Sequence, residues 1–198
     1  MSNEGVDVGK RRFLTTATSA VGGVGAAFVA VPFISSWQPS ARARAAGAPV
    51  EVNVGELEPG ARLTVVWRGK PVWIVRRTDE MLASLEPVSG ELRDPDSEKP
   101  QQPSYCQNAQ RSIKPEYLVM VGLCTHLGCL PDYRPDNAQG QLDYPGFFCA
   151  CHGSAYDIAG RVYRGVPAPL NMQVPPHRYA DDSVIVVGED PDSETEAA

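Results

Sequence analysis

The sequence predicts a mainly β protein behind one apolar helix. Three observations carry that expectation. One long uncharged stretch stands near the start. Short β-branched runs follow it, separated by Pro-Gly and Gly-Lys-Pro turns. Glycine and proline number 18 each among 198 residues, which favours turns and loops over long helices.

Residues 1–12 are polar and end in Lys10-Arg11-Arg12, whereas residues 13–41 carry no charge. A helix over 13–36 spans roughly 36 Å, enough for a bilayer core of about 30 Å. We place a transmembrane helix at 13–37. The basic residues before it predict a cytoplasmic N-terminus, with the rest of the chain on the far side. Arg11-Arg12-Phe13-Leu14 also resembles a twin-arginine export signal, a route that moves folded proteins. The competing reading is a cleavable signal ending at Ala43-Arg44-Ala45. The uncharged stretch is long for a signal core of about 7–15 residues.

Residues 38–49 show no apolar periodicity and read as a flexible hinge linker. The domain at 50–188 then opens with strands over 50–54, 62–67 and 72–76. Residues 78–85 predict one short helix, with Thr78 as N-cap and Met81, Leu82 and Leu85 on one face. Residues 86–116 are polar and proline-rich and read as an insertion rather than an element. Strands are expected again at 117–122, 147–150 and 184–187, completing an antiparallel β domain. Trp67 and Trp73 fall in strand patterns and are expected in its core. Glu189, Asp190, Asp192, Glu194 and Glu196 crowd the tail at 189–198, which is expected to be disordered and solvated. The net charge of −6 argues against a nucleic-acid surface, which needs a basic footprint.

The chemistry is concentrated in two short segments. Four of the five cysteines lie within 28 residues, with two of the three histidines. Such crowding points to metal or redox chemistry rather than a disulfide scaffold. The first segment is Cys124-Thr125-His126-Leu127-Gly128-Cys129. The second runs Cys149-Ala150-Cys151-His152-Gly153-Ser154-Ala155-Tyr156. Each supplies one thiolate and one imidazole, as C-x-H and C-x-x-H. Two Cys and two His can hold tetrahedral zinc. They can equally hold a 2Fe–2S cluster, thiolates on one iron and imidazoles on the other. Each segment also carries a further cysteine, Cys129 and Cys151, that no four-ligand site needs. An exported domain permits these to join the two loops as a disulfide. Gly128 and Gly153 allow tight turns, so backbone N–H groups can approach sulfide. The remaining Cys106 is expected to be a spectator in the insertion, and His177 a loop residue without a ligand role.

CTHLGC and CxCHGSxYD resemble the two cluster-binding boxes of the Rieske proteins of cytochrome bc complexes, of the proteobacterial kind. The resemblance spans nearly the whole chain, from the apolar anchor to Gly165-Val166-Pro167-Ala168-Pro169. That last segment is similar to the family's proline loop, interrupted here by Val166. The resemblance implies one Rieske-type 2Fe–2S cluster in a small subdomain at about 123–170. Cys124 and Cys149 would ligate the inner iron and His126 and His152 the outer one. Cys129 and Cys151 would form the disulfide. Ser154 and Tyr156 would donate hydrogen bonds to a bridging sulfide and a ligand thiolate. Leu127, Gly128 and Pro167 would form the docking surface; for Leu127, packing under the proline loop is an equal alternative.

The implied function is that of the iron–sulfur subunit of ubiquinol–cytochrome c reductase. His152 would contact the quinol and accept its proton, and the electron would pass to a c-type cytochrome. Implied partners are cytochrome b, a c-type cytochrome, ubiquinol and the lipid bilayer, in a dimeric complex, and no nucleic acid. The implied location is the bacterial inner membrane, single-pass, with the Rieske domain periplasmic. Two alternatives share the boxes. A soluble ferredoxin serving an oxygenase is disfavoured by the extra cysteines and the apolar stretch. The small Rieske subunit of an arsenite-oxidase-like enzyme is disfavoured by the insertion at 86–116 and by the PAPLNMQVPPH segment.

Overall fold

The computed structural model describes residues 5, 7–136 and 142–191. The chain divides into two units, Met1–Ala45 and Ala46–Ala198.

In the first unit, α1 runs Val8–Ser35, 28 residues, about 42 Å at the usual rise. It begins five residues before the uncharged stretch, because Asp7 caps it. The Asp7 carboxylate accepts from the Lys10 amide at 3.1 Å, and Lys10, Arg11 and Arg12 are good helix formers. Among the described residues this is the one helix long and apolar enough to cross a membrane. Residues 38–49 are not wholly irregular: α2 occupies Ala41–Ala46. Its Ala and Arg residues favour helix, and the Ser40 hydroxyl accepts from the Ala43 amide at 3.1 Å. Apolar periodicity could not reveal it, because its described side chains are exposed and no buried face exists.

The second unit stacks three antiparallel sheets. The first joins β1 (Val50–Asn53), β9 (Val184–Val187) and β8 (His177–Tyr179), in that order. The second orders β2 (Arg62–Trp67), β3 (Lys70–Arg76) and β4 (Tyr117–Val121). The third orders β5 (Asp132–Arg134), β6 (Gly146–Cys149) and β7 (Ser154–Asp157). Side chains alternate across a strand, and β3 and β4 use both faces. Val72, Ile74, Val119 and Val121 pack toward Val52, Ile185 and Val187 of the first sheet. Trp73, Val75, Leu118 and Met120 pack toward Phe147, Tyr156 and Ile158 around the third. Covering on both sides is why all of β4 is buried. Trp67 and Trp73 are core residues, as expected. Between β3 and β4, α3 (Asp79–Ala83) starts where Thr78 Oγ1 accepts from the Met81 amide at 3.3 Å.

Residues 86–116 carry only two three-residue 3-10 turns, Ser89–Glu91 and Ser104–Cys106, in keeping with an insertion rather than an element, but the segment is packed into the domain. Val88, Leu92, Ser97, Cys106 and Arg111 from this segment are all buried. Polar composition disguised this, because buried Ser97, Arg111 and Ser112 stand among the buried apolar residues of the segment. Arg111 donates through Nη1 to the Ala159 carbonyl at 3.1 Å and through Nη2 to Met172 O at 2.7 Å and Gln102 Oε1 at 3.0 Å. Burial pulls its pKa down to about 10. Arg77 is anchored likewise on Pro115 O and Gln110 O, both at 2.8 Å. Arg161 and Asp157 form a buried pair at 2.7 Å. Cys106 is a free buried thiol whose pKa burial pushes up to about 12, so it stays protonated and inert. His177 lies in β8 rather than a loop, fully buried, with Nδ1 2.9 Å from Pro175 O. Of the acidic tail, residues 192–198 lie outside the described residues.

Arg111→Ala would leave the Ala159 and Met172 carbonyls buried without their donor, a cost of about 1–3 kcal/mol each. The variant is expected to lose roughly 3 kcal/mol or more of unfolding free energy, read from denaturant melts of the detergent-solubilised chain. A loss below about 1 kcal/mol would mean that water replaces the guanidinium freely.

Candidate metal centre

Both boxes are built on the same local turn. In the first, the Gly128 amide donates to the Cys124 carbonyl at 2.9 Å; in the second, the Gly153 amide donates to the Cys149 carbonyl at 2.9 Å. Each glycine closing the turn has a positive φ, 79° and 76°, a conformation that strains any residue with a Cβ. Nothing stands within 4 Å of where that Cβ would be, so conformation rather than crowding demands glycine. The first turn leaves β4 and closes with Cys124 N–H donating to Cys129 O at 2.8 Å. The second links β6 to β7, whose pairing sets Cys149 opposite Ser154.

The two turns meet. Cys129 and Cys151 form a disulfide across a separation of 22 residues. The His126 and His152 rings stand edge to face with centroids 4.7 Å apart. Cys124 and Cys149 are buried and unpaired, at 3% and 1% exposure. The sulfur of Cys149 lies within 4.8 Å of both disulfide sulfurs. Those two are committed to each other and offer no thiolate, so that sulfur trio is not a ligand set. His126 is half-buried and its Nδ1 is enclosed with no hydrogen-bond partner, whereas His152 is exposed. An orphaned buried nitrogen costs about 1–3 kcal/mol unless something binds it. Two free thiols, an enclosed imidazole nitrogen and a second imidazole beside it are the mixed donor set that a 2Fe–2S cluster of this kind takes.

The hydroxyls around the thiols are placed as hydrogen-bond partners. Tyr156 Oη lies 3.2 Å from Cys124 Sγ and accepts from the Thr125 amide at 3.0 Å. Thr125 donates its own hydroxyl proton to Leu170 O at 2.7 Å. At the 3.2 Å contact between Thr125 Oγ1 and Tyr156 Oη the phenol is therefore the donor, and its proton has Cys124 Sγ and Thr125 Oγ1 as acceptors at equal distance. Burial opposes ionisation of Cys124, but bonds from Tyr156, the His126 amide, Cys149 and Ser154 outweigh it, and its pKa falls below the ordinary thiol value. Cys149 goes the other way: burial raises it. Ser154 is fully buried, and its Oγ accepts from the Ala168 amide at 3.1 Å. That occupies an oxygen lone pair and leaves the Ser154 proton free.

The structure brings together Cys129 and Cys151 with Cys149, His126 with His152, and Cys124 with Tyr156, Ser154 and Cys149, whereas Cys106 and His177 are buried elsewhere. Leu127 does not pack under the proline loop, since it is 71% exposed, with Leu130 at 62%. Gly128 and Pro167 are exposed as well. Sequence reasoning missed Thr125, which ties the first box to the segment after the proline loop. Its signal was a hydroxyl residue set between the cysteine and histidine of a box.

Three antiparallel sheets carrying two facing Cys/His turns define an iron–sulfur protein of the Rieske class. Comparison with known proteins agrees. Residues 48–176 match the Rieske [2Fe-2S] domain, and residues 1–40 match the "Ubiquitinol-cytochrome C reductase Fe-S subunit TAT signal". The ubiquinol-cytochrome c reductase iron-sulfur subunit of Allochromatium vinosum is 58% identical over 96% of this chain and 93% of its own. That of Rhodospirillum rubrum is 42% identical over 94% and 96%. A chain of a hyperthermophilic respiratory Complex III is similar at a TM-score of 0.48 and 26% identity, over 87% of this chain and 98% of that one. The chain belongs to the family of ubiquinol–cytochrome c reductase iron–sulfur subunits, and its cofactor is one Rieske 2Fe–2S cluster. That membership sets aside the arsenite-oxidase-like alternative.

Replacing Cys129 and Cys151 together by serine removes a cross-link worth roughly 3 kcal/mol for a loop of this length. The double variant is expected to melt earlier and to lose its visible cluster spectrum at lower temperature than the wild type. Equal melting of the two proteins would mean that the turns hold each other without the covalent tie.

Proposed function

We propose that this chain takes an electron, and through His152 a proton, from ubiquinol and passes the electron to a c-type cytochrome. The observation that carries the reading is the position of His152, exposed to solvent and in ring contact with the half-buried His126. Cys124 and Cys149 hold one iron. His126, through the orphaned Nδ1, and His152 hold the other. When bound, the cluster supplies a one-electron centre whose imidazole ligation raises its potential above that of all-thiolate ferredoxins.

The rest is work for side chains. The outward ring nitrogen of His152 receives the hydrogen bond of the quinol hydroxyl and then its proton. Leu127, exposed and next to His126 in the chain, and exposed Pro167 of the proline loop supply apolar surface for seating against a partner. Tyr156 and Ser154 direct protons at sulfur, which stabilises the more negative reduced state. The disulfide keeps the two turns in register through each cycle.

Residues 13–37 anchor the chain in the bacterial inner membrane, with the N-terminus cytoplasmic and the β domain periplasmic. The apolar helix and the match to an export signal support this, as does the basic run before the uncharged stretch. The linker at 38–49 lets the domain move between cytochrome b, where the quinol is oxidised and the second electron leaves, and the c-type cytochrome. The assembly is dimeric.

Tyr156→Phe removes one hydrogen bond to a ligand sulfur. At about 1 kcal/mol of difference between redox states, it is expected to lower the midpoint potential by roughly 40 mV with the cluster retained. Quinol–cytochrome c turnover in membranes should fall with it, and the apparent quinol KM should not move. An unchanged potential with an intact spectrum, or unchanged turnover at a lowered potential, would contradict the reading.

A further inference from the structure

The segment 85–97 lies alongside both ends of the proline loop. Before the loop, the Arg93 amide donates to Val162 O at 2.9 Å and the Arg164 amide to Glu91 O at 2.8 Å. After it, Asn171 Nδ2 donates to Asp94 O at 2.9 Å. One contact reaches the loop itself. Arg93 Nη2 donates to the carbonyl of Val166 at 3.2 Å. Val166 is the residue that interrupts the proline loop, and two positions further on the Ala168 amide donates to Ser154 Oγ.

We propose that Arg93 is a positioning residue for the cluster: by holding the Val166 carbonyl, it keeps the Ala168 amide on Ser154 Oγ and so aims the Ser154 proton into the site. This rests on the reading that Ser154 donates to a cluster sulfur. A hydroxyl has one proton and two lone pairs. With Ala168 N–H on one lone pair, the Ser154 proton points away from the loop. With that amide withdrawn, the hydroxyl is free to rotate and to donate to a loop carbonyl instead. Arg93 is itself exposed, so its side chain can be shortened without opening the core. Its backbone bond to Val162 survives substitution.

The test uses the full-length holoprotein in detergent and four variants: Arg93→Ala, Arg93→Gln, Ser154→Ala and the double variant Arg93→Ala/Ser154→Ala. Two quantities are read, the midpoint potential and hydrogen exchange of the peptide spanning 165–170. Arg93→Ala is expected to lower the potential in the direction of Ser154→Ala but by less. The double variant should match Ser154→Ala alone. Exchange at the loop should quicken roughly tenfold in Arg93→Ala, the effect of losing one hydrogen bond of about 1.4 kcal/mol. Arg93→Gln, which keeps a donor but not the charge, should stay nearer the wild type than Arg93→Ala in both. Shifts that add in full in the double variant would show that Arg93 acts by charge alone and overturn the proposal. So would an unchanged potential in Arg93→Ala beside a lowered one in Ser154→Ala. A flat potential in Ser154→Ala itself would instead sink the reading of that hydroxyl, and the positioning role with it.

Discussion

Two short turns must face each other closely enough for two thiols and two imidazoles to share one site. The Cys129–Cys151 disulfide is the covalent tie that holds them there. Each turn alone is a five-residue loop ending on a glycine and held by one or two backbone hydrogen bonds. Such a loop is weakly determined. Set on opposite strands of the domain and cross-linked, the pair loses most of its freedom before any metal arrives. Tyr156 adds a bond from the second box to the first, and Thr125 ties the first box to Leu170, just after the proline loop.

The same arrangement separates inside from outside. The thiols lie over the core that Phe147, Tyr156 and Met120 build, and they are closed to water. The imidazoles lie nearer solvent, and His152 reaches it. An electron centre built this way is insulated on the sulfur side and open on the histidine side. Leu127, next to His126 in the chain, adds exposed apolar surface.

The two boxes and the strands at 62–67 and 184–187 were legible in the residues, because paired Cys/His motifs and β-branched runs announce themselves. The short strands Asp132–Arg134, Ser154–Asp157 and His177–Tyr179 were not. Each is three or four residues long with a single strand-favouring residue, a tyrosine, so neither alternation nor propensity had room to show. The segment 86–116 was misjudged for a different reason. Beside its few buried apolar residues it is held by guanidinium groups on carbonyls, its own Arg111 on Met172 and Arg77 of the preceding strand end on Gln110, and hydropathy scores such residues as surface. His177 likewise looked like a loop residue between prolines, yet its ring fills the core with one nitrogen on a carbonyl. At the site, the residue types were readable and their hydrogen-bond directions were not. Which proton Thr125 gives away, and which Tyr156 keeps, depends on contacts 31 and 45 positions apart in the chain.

The central claim is that two imidazoles and two thiolates of this chain hold the cluster, one of each from each turn. Pulsed EPR of the reduced protein labelled with ¹⁵N-histidine tests it most directly. Two distinct, strongly coupled ¹⁵N nuclei are expected, and Cys106→Ser, whose buried thiol plays no part, should leave the spectrum unchanged. A spectrum with one coupled histidine or none, or one that Cys106→Ser abolishes, would contradict the account.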